Sequence, residues 1–284
     1  MDIPISRGAT ETALLPLPRG ACDAHVHVVG PASRFPFAAG RHADDAPKEA
    51  LFALHRRLGI DRCVVVQSAS HGFDNRVIED VIHAGEGRYL GVAAVPPDVA
   101  DGELRRLADA GFRGVRFNFM SHLASHADPR ALPDFSRRLA PLGMHLQLHF
   151  APERIHELVP LLRACPVPVM IDHMGRVDAT LGPAHAHFDA LCELLRDERF
   201  WVKVSGVDRV SPPGGYAGGV ALARGLLRDF PDRCVWGTDW PHSNHSHPPE
   251  DDALVGLLAG IAPTRAALEK LLVGNPMNFY RFAA

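Results

Sequence analysis

The sequence predicts an α/β fold, a single-domain (β/α)8 TIM barrel with extra C-terminal helices. Three observations carry that prediction. Eight short apolar, β-branched runs recur along the chain. Each is followed by a segment with amphipathic helical spacing. The period from the first run to the last is roughly 30 residues, which suits a βαβ unit. Such alternation implies parallel strands joined by right-handed crossovers. Eight units in 284 residues favour a closed barrel, which typically takes about 250 residues in one domain, over an open doubly wound sheet.

Residues 1–20 read as an N-terminal arm, with three prolines and two glycines, and residues 21–284 as the barrel domain. The first strand is expected over 21–27 and the first helix over 47–58. The valine-rich run 62–67 precedes helix 76–85. Run 89–95 precedes helix 100–110, and run 114–118 precedes helix 129–142. Run 144–149 precedes helix 152–164, and run 167–172 precedes helix 183–196. Run 200–205 leads, through the aperiodic and lid-like stretch 210–219, into helix 217–229. Run 234–238 precedes helix 250–258. The tail 262–284 holds one or two further helices, with Asn275-Pro276 favouring a helix start. No linker, internal repeat beyond the βα period or low-complexity tract divides the chain.

Composition narrows the function. Thirty Lys and Arg stand against 33 Asp and Glu, a net charge of -3, which argues against a nucleic-acid binder. No apolar run approaches the ~20 residues of a membrane span. The first 20 residues carry acidic groups and no long apolar core, so they do not read as a signal peptide, and a cytoplasmic location is expected. Five cysteines, an odd number with no CxxC pair, read as buried thiols in a reducing compartment. No GxGxxG follows the first strand and no Walker A motif occurs, which removes the best support for a dinucleotide or P-loop fold.

In such a barrel the chemistry gathers at the carboxyl ends of the strands. Those ends read Asp23-Ala24-His25-Val26-His27, Gln67-Ser68, Arg116-Phe117-Asn118, His149, Asp172-His173, Lys203-Val204-Ser205 and Thr238-Asp239. Polar groups therefore converge on one rim from several strands. His25 and His27 are two apart in a strand and share a face. Joined by His173 and Asp239, they suit a divalent metal such as Zn. They suit equally a metal-free site in which imidazoles and a carboxylate position and deprotonate water. Asp239 follows an apolar run, so it must be paired, hydrogen-bonded or metal-bound; its alternative role is a helix N-cap. Arg116 matches a substrate carboxylate with its planar fork, and Arg209 is a second such candidate; for each the alternative is a loop salt bridge. His149 is a candidate substrate contact. His242 is expected to line the pocket near Asp239, whereas His245 and His247 are expected to face solvent.

These residues resemble the amidohydrolase superfamily, through DAHVH, the DH of strand six and TDWPH at strand eight. GPASRFPF, QSASHGFDN, GVRFNF, DHMGR, KVSG and WGTDWPH are similar to the amidohydrolase-2 branch, and within it to 2-pyrone-4,6-dicarboxylate lactonases and neighbouring muconolactone and sugar-acid lactonases. The motifs run from Asp23 to His242, most of the chain. The resemblance implies that His25, His27 and His173 line the site and that Asp239 activates water. It implies that Arg116 and Arg209 hold substrate carboxylates, that Ser68 or Ser70 contacts substrate, and that His149 falls close to the place of a tyrosine. It also implies hydrolysis without a required metal, in contrast to most of the superfamily.

Two positions depart from that pattern. His122 stands where the lactonases carry a further arginine, and residues 38–46, with Arg41 and His42, replace a stretch that carries a tyrosine. Both fall on expected carboxylate contacts, so a lactone with one carboxylate, or a differently placed one, is a candidate substrate. Asn118 and His242 complete the expected substrate-binding set, and the expected partner is a small carboxylated lactone. The competing readings are a zinc-dependent decarboxylase, a lactone isomerase and a non-catalytic binder of small acids.

Overall fold

The structure, a computed structural model, describes residues 16–120, 127–243, 245 and 247–283. Most of the predicted arm, and His122, lie outside the described residues. Eight parallel strands pair in chain order: β1 (Cys22–Val26), β2 (Arg62–Val66), β3 (Tyr89–Ala93), β4 (Phe112–Phe119), β5 (His145–Phe150), β6 (Val169–Ile171), β7 (Phe200–Lys203) and β8 (Cys234–Val235). The ring is a (β/α)8 barrel, as the alternation predicted.

Its seam joins the last strand to the first. Ala24 N–H donates to Trp236 O, Asp239 N–H to His25 O and His27 N–H to Trp240 O, at 2.8, 2.8 and 2.7 Å. Asp23 reinforces the seam: its carboxylate accepts from the Thr238 hydroxyl at 2.6 Å and the Thr238 amide at 3.1 Å. This pairing explains why β8 is shorter than the predicted 234–238. Beyond Val235 the chain bonds to β1 in an irregular register. Gly237 sits where the two segments pass closest, and a Cβ there would lie 2.5 Å from His25 N.

The helices between strands are α1 (Lys48–Leu58), α2 (Arg76–Ala84), α3 (Asp101–Asp109), α4 (Leu132–Leu139), α5 (Ile155–Arg163) and α6 (Ala186–Leu195). They continue with the short α7 (Val207–Val210), then α8 (Ala217–Asp229) and α9 (Asp251–Ile261). The tail forms α10 (Arg265–Glu269), a π turn at Lys270–Gly274 and α11 (Asn275–Tyr280), in line with the expected extra helices. Leu51, Leu54, Leu104 and Leu107 show the rule for the outer layer: helical residues three apart bury against the strands. A second apolar cluster unites Cys22, Val64 and Leu90 with Met170 and Trp201 from the opposite wall, and so fills the barrel itself. Tyr280, fully buried, packs on His145 at the amino-terminal end of β5 and closes that end.

β1 changes register between Asp23 and Val26. Cys22 and Ala24 belong to the inner cluster and Val26 to the outer one. Such an irregularity re-aims side chains locally, and here it falls where His25 turns towards the barrel mouth. Four cysteines are buried and Cys192 is partly so, and all five are free thiols, as expected. Among the described residues no helix is long and apolar enough to cross a membrane.

Candidate active site

At the carboxyl ends of the strands, three imidazoles and one carboxylate meet. Asp239 Oδ1 lies 3.6 Å from His25 Nε2, 3.5 Å from His27 Nε2 and 3.8 Å from His173 Nε2. His25 Nε2 and His27 Nε2 are 3.3 Å apart. The four residues grouped by the sequence are thus brought together.

Each ring is held from behind through Nδ1. His27 Nδ1–H donates to Val66 O at 2.7 Å, and His173 Nδ1 pairs with Ser205 Oγ at 3.0 Å. His25 Nδ1 faces Lys203 Nζ at 3.3 Å and Asp172 Oδ1 at 3.4 Å. Because the backbone carbonyl can only accept, a neutral His27 presents its Nε2 lone pair to the cluster. If the Lys203 ammonium donates to His25 Nδ1, the His25 proton sits on Nε2 and points at that lone pair. The chain Lys203, His25, His27, Val66 O is then donor to acceptor at every step.

Burial decides the protonation states. His25 is pushed down to about 4 and His149 to about 3 by desolvation, and His173 is driven well below the ordinary imidazole value for the same reason. All three are neutral at pH 7. Desolvation alone would raise the two buried carboxylates, yet their neighbours outweigh it. The His173 ring and the Arg209 guanidinium beside it hold Asp239 well below the usual carboxylate range, and the Lys203 ammonium does the same for Asp172. Desolvation brings Lys203 itself down to about 8.

Backbone conformation fixes the remaining directions. His173, Met174, Gly175 and Arg176 form an unbroken left-handed run, with φ of 49, 53, 64 and 58°. Asp239 and His242 are left-handed as well, at 66 and 60°. Each non-glycine residue there costs about 1–2 kcal/mol in isolation, and such strain clusters at functional sites. Gly206 permits the turn at the end of β7: it has φ +72°, and a Cβ there would lie 2.9 Å from the His173 ring.

A cavity of about 110 Å³ opens onto this cluster, lined by His27, Ser68, Ser70, Arg116, His149, Arg176, Arg209 and Asp239 among others. Ser68, Ser70, Arg116 and His149 therefore stand where the sequence suggested. His149 packs edge-on to His173, with ring centroids 5.4 Å apart, and neither of its nitrogens has a hydrogen-bond partner among the described residues. Arg116 donates to Gln67 O at 2.7 Å. Arg209 donates to Asp239 Oδ2 from Nε at 2.9 Å, its Nη2 lies 2.8 Å from the same oxygen, and it also donates to Ser243 O at 3.2 Å. Asn118 lines the neighbouring cavity and accepts from Met120 N–H at 3.0 Å.

Two loop histidines differ from expectation. His242 is buried but is absent from the cavity lining, and its Nε2 pairs with Asp251 at 3.0 Å. His245 was expected to face solvent; its side chain is 11 % exposed and pairs with the buried Asp208 at 2.9 Å. The carboxylate of α7 turns that loop inward, a contact no local pattern announces.

Sequence reasoning missed Arg176 and understated Lys203 and Asp172. Arg176 lines the cavity with no hydrogen bond or ion pair of its own among the described residues. Its signal was present in DHMGR, three residues after His173, but the direction of its side chain depends on the left-handed run.

The cluster also fits a divalent cation. The facing atoms of His25, His27 and Asp239 lie within 4.8 Å of one another, and separations of 3.3–3.6 Å are close to the ~3.3 Å edge of a tetrahedron with Zn–N bonds of ~2.0–2.1 Å.

The chain is 42% identical over 277 residues to the 2-pyrone-4,6-dicarboxylate hydrolase of Comamonas testosteroni, covering 93% of this chain and 91% of that one. It is 36% identical over 271 residues to the 4-sulfomuconolactone hydrolase of Hydrogenophaga intermedia, covering 93% and 89%. A crystal structure of an Agrobacterium tumefaciens protein superposes with a TM-score of 0.83 at 25% identity, over 94% of this chain and 97% of that one. The amidohydrolase family model matches residues 22–282, and the chain belongs to that family.

Proposed function

We propose that this protein is a hydrolase that opens the ring of a carboxylated lactone, with Asp239 as the base that activates water. The observation that carries the reading is the division of labour on one carboxylate. Oδ2 is held by Arg209, while Oδ1 faces three imidazoles at the floor of the cavity. The similarity to hydrolases of two anionic lactones supports the substrate class.

In this mechanism Arg116 and Arg176 take the substrate's carboxylate and set the ring against the cluster. Asp239 accepts a proton from a water molecule as that water's oxygen bonds to the lactone carbonyl carbon. The His173 ring, with Nδ1 paired to Ser205, is left to donate its Nε2–H to the charge that develops on the carbonyl oxygen. The ring C–O bond then breaks, and the proton held by Asp239 passes to the departing ring oxygen. The product is the ring-opened acid.

The reading includes independence from a metal. Lys203 and Arg209 already compensate Asp172 and Asp239, and Arg116 and Arg176 add two further cations, so a divalent ion would enter a site that is already net positive. Bound at His25, His27, His173 and Asp239, such an ion would supply Lewis acidity at the same point.

The test is chelator-treated protein with 2-pyrone-4,6-dicarboxylate and with muconolactone, following ring absorbance and identifying products. Ring-opened acid from either one, without added metal, is expected. Turnover only after zinc is restored overturns metal independence. An isomeric lactone or released CO2 as product overturns the hydrolase reading.

A further inference from the structure

The cavity over the His/Asp cluster has a larger neighbour. A second chamber of about 360 Å³ shares the wall formed by Ser68, Ala69 and Arg116. Its remaining surface is mainly apolar, with Ala38, Phe73, Ala94, Val95, Pro97 and Phe117. Among the described residues, Arg41 is the one cation that lines it besides Arg116. Phe73 stands at its opening and is 51% exposed, one of two large apolar side chains so exposed among the described residues. The inner cavity alone, at about 110 Å³, falls below the ~300–1,000 Å³ of ordinary small-molecule sites, and the two together fall within that range.

We infer that the outer chamber is a substrate subsite, and that the physiological lactone carries an apolar alkyl or aryl substituent that fills it. This inference rests on the lactonase reading above. The shared wall fixes the layout. Arg116 stands at the junction, so the ring carboxylate is held there. The reacting carbonyl lies inward, towards Asp239, and the substituent points outward between Ala38, Phe73 and Phe117. A second carboxylate in that chamber would lose much of its hydration against a mainly apolar wall, with Arg41 and the Asn118 amide as new partners among the described residues. An alkyl or aryl group loses no hydrogen bond and covers Phe73. Each methylene moved from water into the chamber multiplies affinity by about four.

The experiment compares 2-pyrone-6-carboxylate with its 4-butyl, 4-phenyl and 4-carboxylate derivatives, by kcat/KM for the wild type and for Ala38→Phe. Binding of the same set to Asp239→Asn is measured by calorimetry. The expected result is a preference of about tenfold or more for the butyl or phenyl compound over the unsubstituted ring. That preference should fall at least about tenfold in Ala38→Phe, where the new ring occupies the chamber. Equal rates for all compounds, a preference for the 4-carboxylate, or a butyl preference unmoved by Ala38→Phe overturns the subsite and leaves the hydrolase reading standing. If no lactone is turned over, the hydrolase reading fails and binding decides the subsite. A tenfold tighter butyl compound keeps it, and equal affinities reject it.

Discussion

Arg209 and Asp239 form a two-point contact in which both N–H groups of one guanidinium edge approach the same carboxylate oxygen, at 2.9 and 2.8 Å. Asp239 is thereby kept ionised in a site whose burial opposes charge. Replacing Arg209 with Met removes a cation that lowers the Asp239 pKa, so that pKa rises. The acid limb of the kcat/KM profile should move to higher pH. If Arg209 served only to hold substrate, KM would rise and the acid limb would stay in place.

Asp239→Asn keeps the shape and removes the proposed base. General-base catalysis is worth roughly 10²–10⁴-fold, and kcat should fall by about that factor while circular dichroism retains the barrel signature. Near wild-type turnover in this variant would sink the mechanism.

Arg176→Ala tests the receptor that the left-handed run delivers. A hydrogen bond to a charged group contributes ~1.5–3 kcal/mol, so KM for a carboxylated lactone should rise about 10- to 100-fold. A lactone without a carboxylate should show almost no change. Equal losses on both would make Arg176 structural.

Buried neutral histidines make the protein acid-sensitive. His25 is held at about 4, and His145 and His149 at about 3, all by desolvation, against about 6.5 in an unfolded chain. As pH falls below 6.5 the unfolded chain takes up protons that the folded protein refuses, so stability is lost towards pH 4. Each group costs on the order of 2 kcal/mol between pH 7 and 5. Protonation of Asp172 and Asp239, whose pKa values are depressed, adds to the loss at lower pH. Urea unfolding from pH 7 to 5 should show a continuous fall in midpoint, and a flat profile would contradict neutral burial.

Gly237→Ala probes the seam. With a Cβ 2.5 Å from His25 N, the two segments must separate, at a cost of about 1–3 kcal/mol. Activity should fall with stability, because the same backbone spaces His25 from Asp239. A variant as stable and active as the parent would show that the seam yields freely.

The barrel was legible because its signals are local. Strand-length apolar runs and amphipathic segments recur at a fixed period, and a parallel barrel converts the end of each run into the rim of one mouth. His25, His27, His173 and Asp239 could be grouped on that ground alone. Lys203 could not be weighed, because one lysine in FWVKVS reads the same whether it reaches solvent or, as here, Ala24 O at 2.9 Å through the barrel interior. Arg176 was hidden for a related reason. DHMGR reads as an ordinary turn, and four successive left-handed residues are a tertiary outcome that no propensity favours. His245 was misjudged because its partner, Asp208, lies on α7, distant in the sequence.

The seam also has a consequence in time. Thr238 and Asp23 are 215 residues apart, yet their contact spaces the base from the first two imidazoles. A ribosome releases the chain from its amino end. His25 and His27 therefore leave it while Asp239 is still untranslated. On the proposed mechanism the nascent polypeptide is catalytically silent until the segment carrying Asp239 has emerged. A product cut short before β8 lacks the closing strand and Asp239 together.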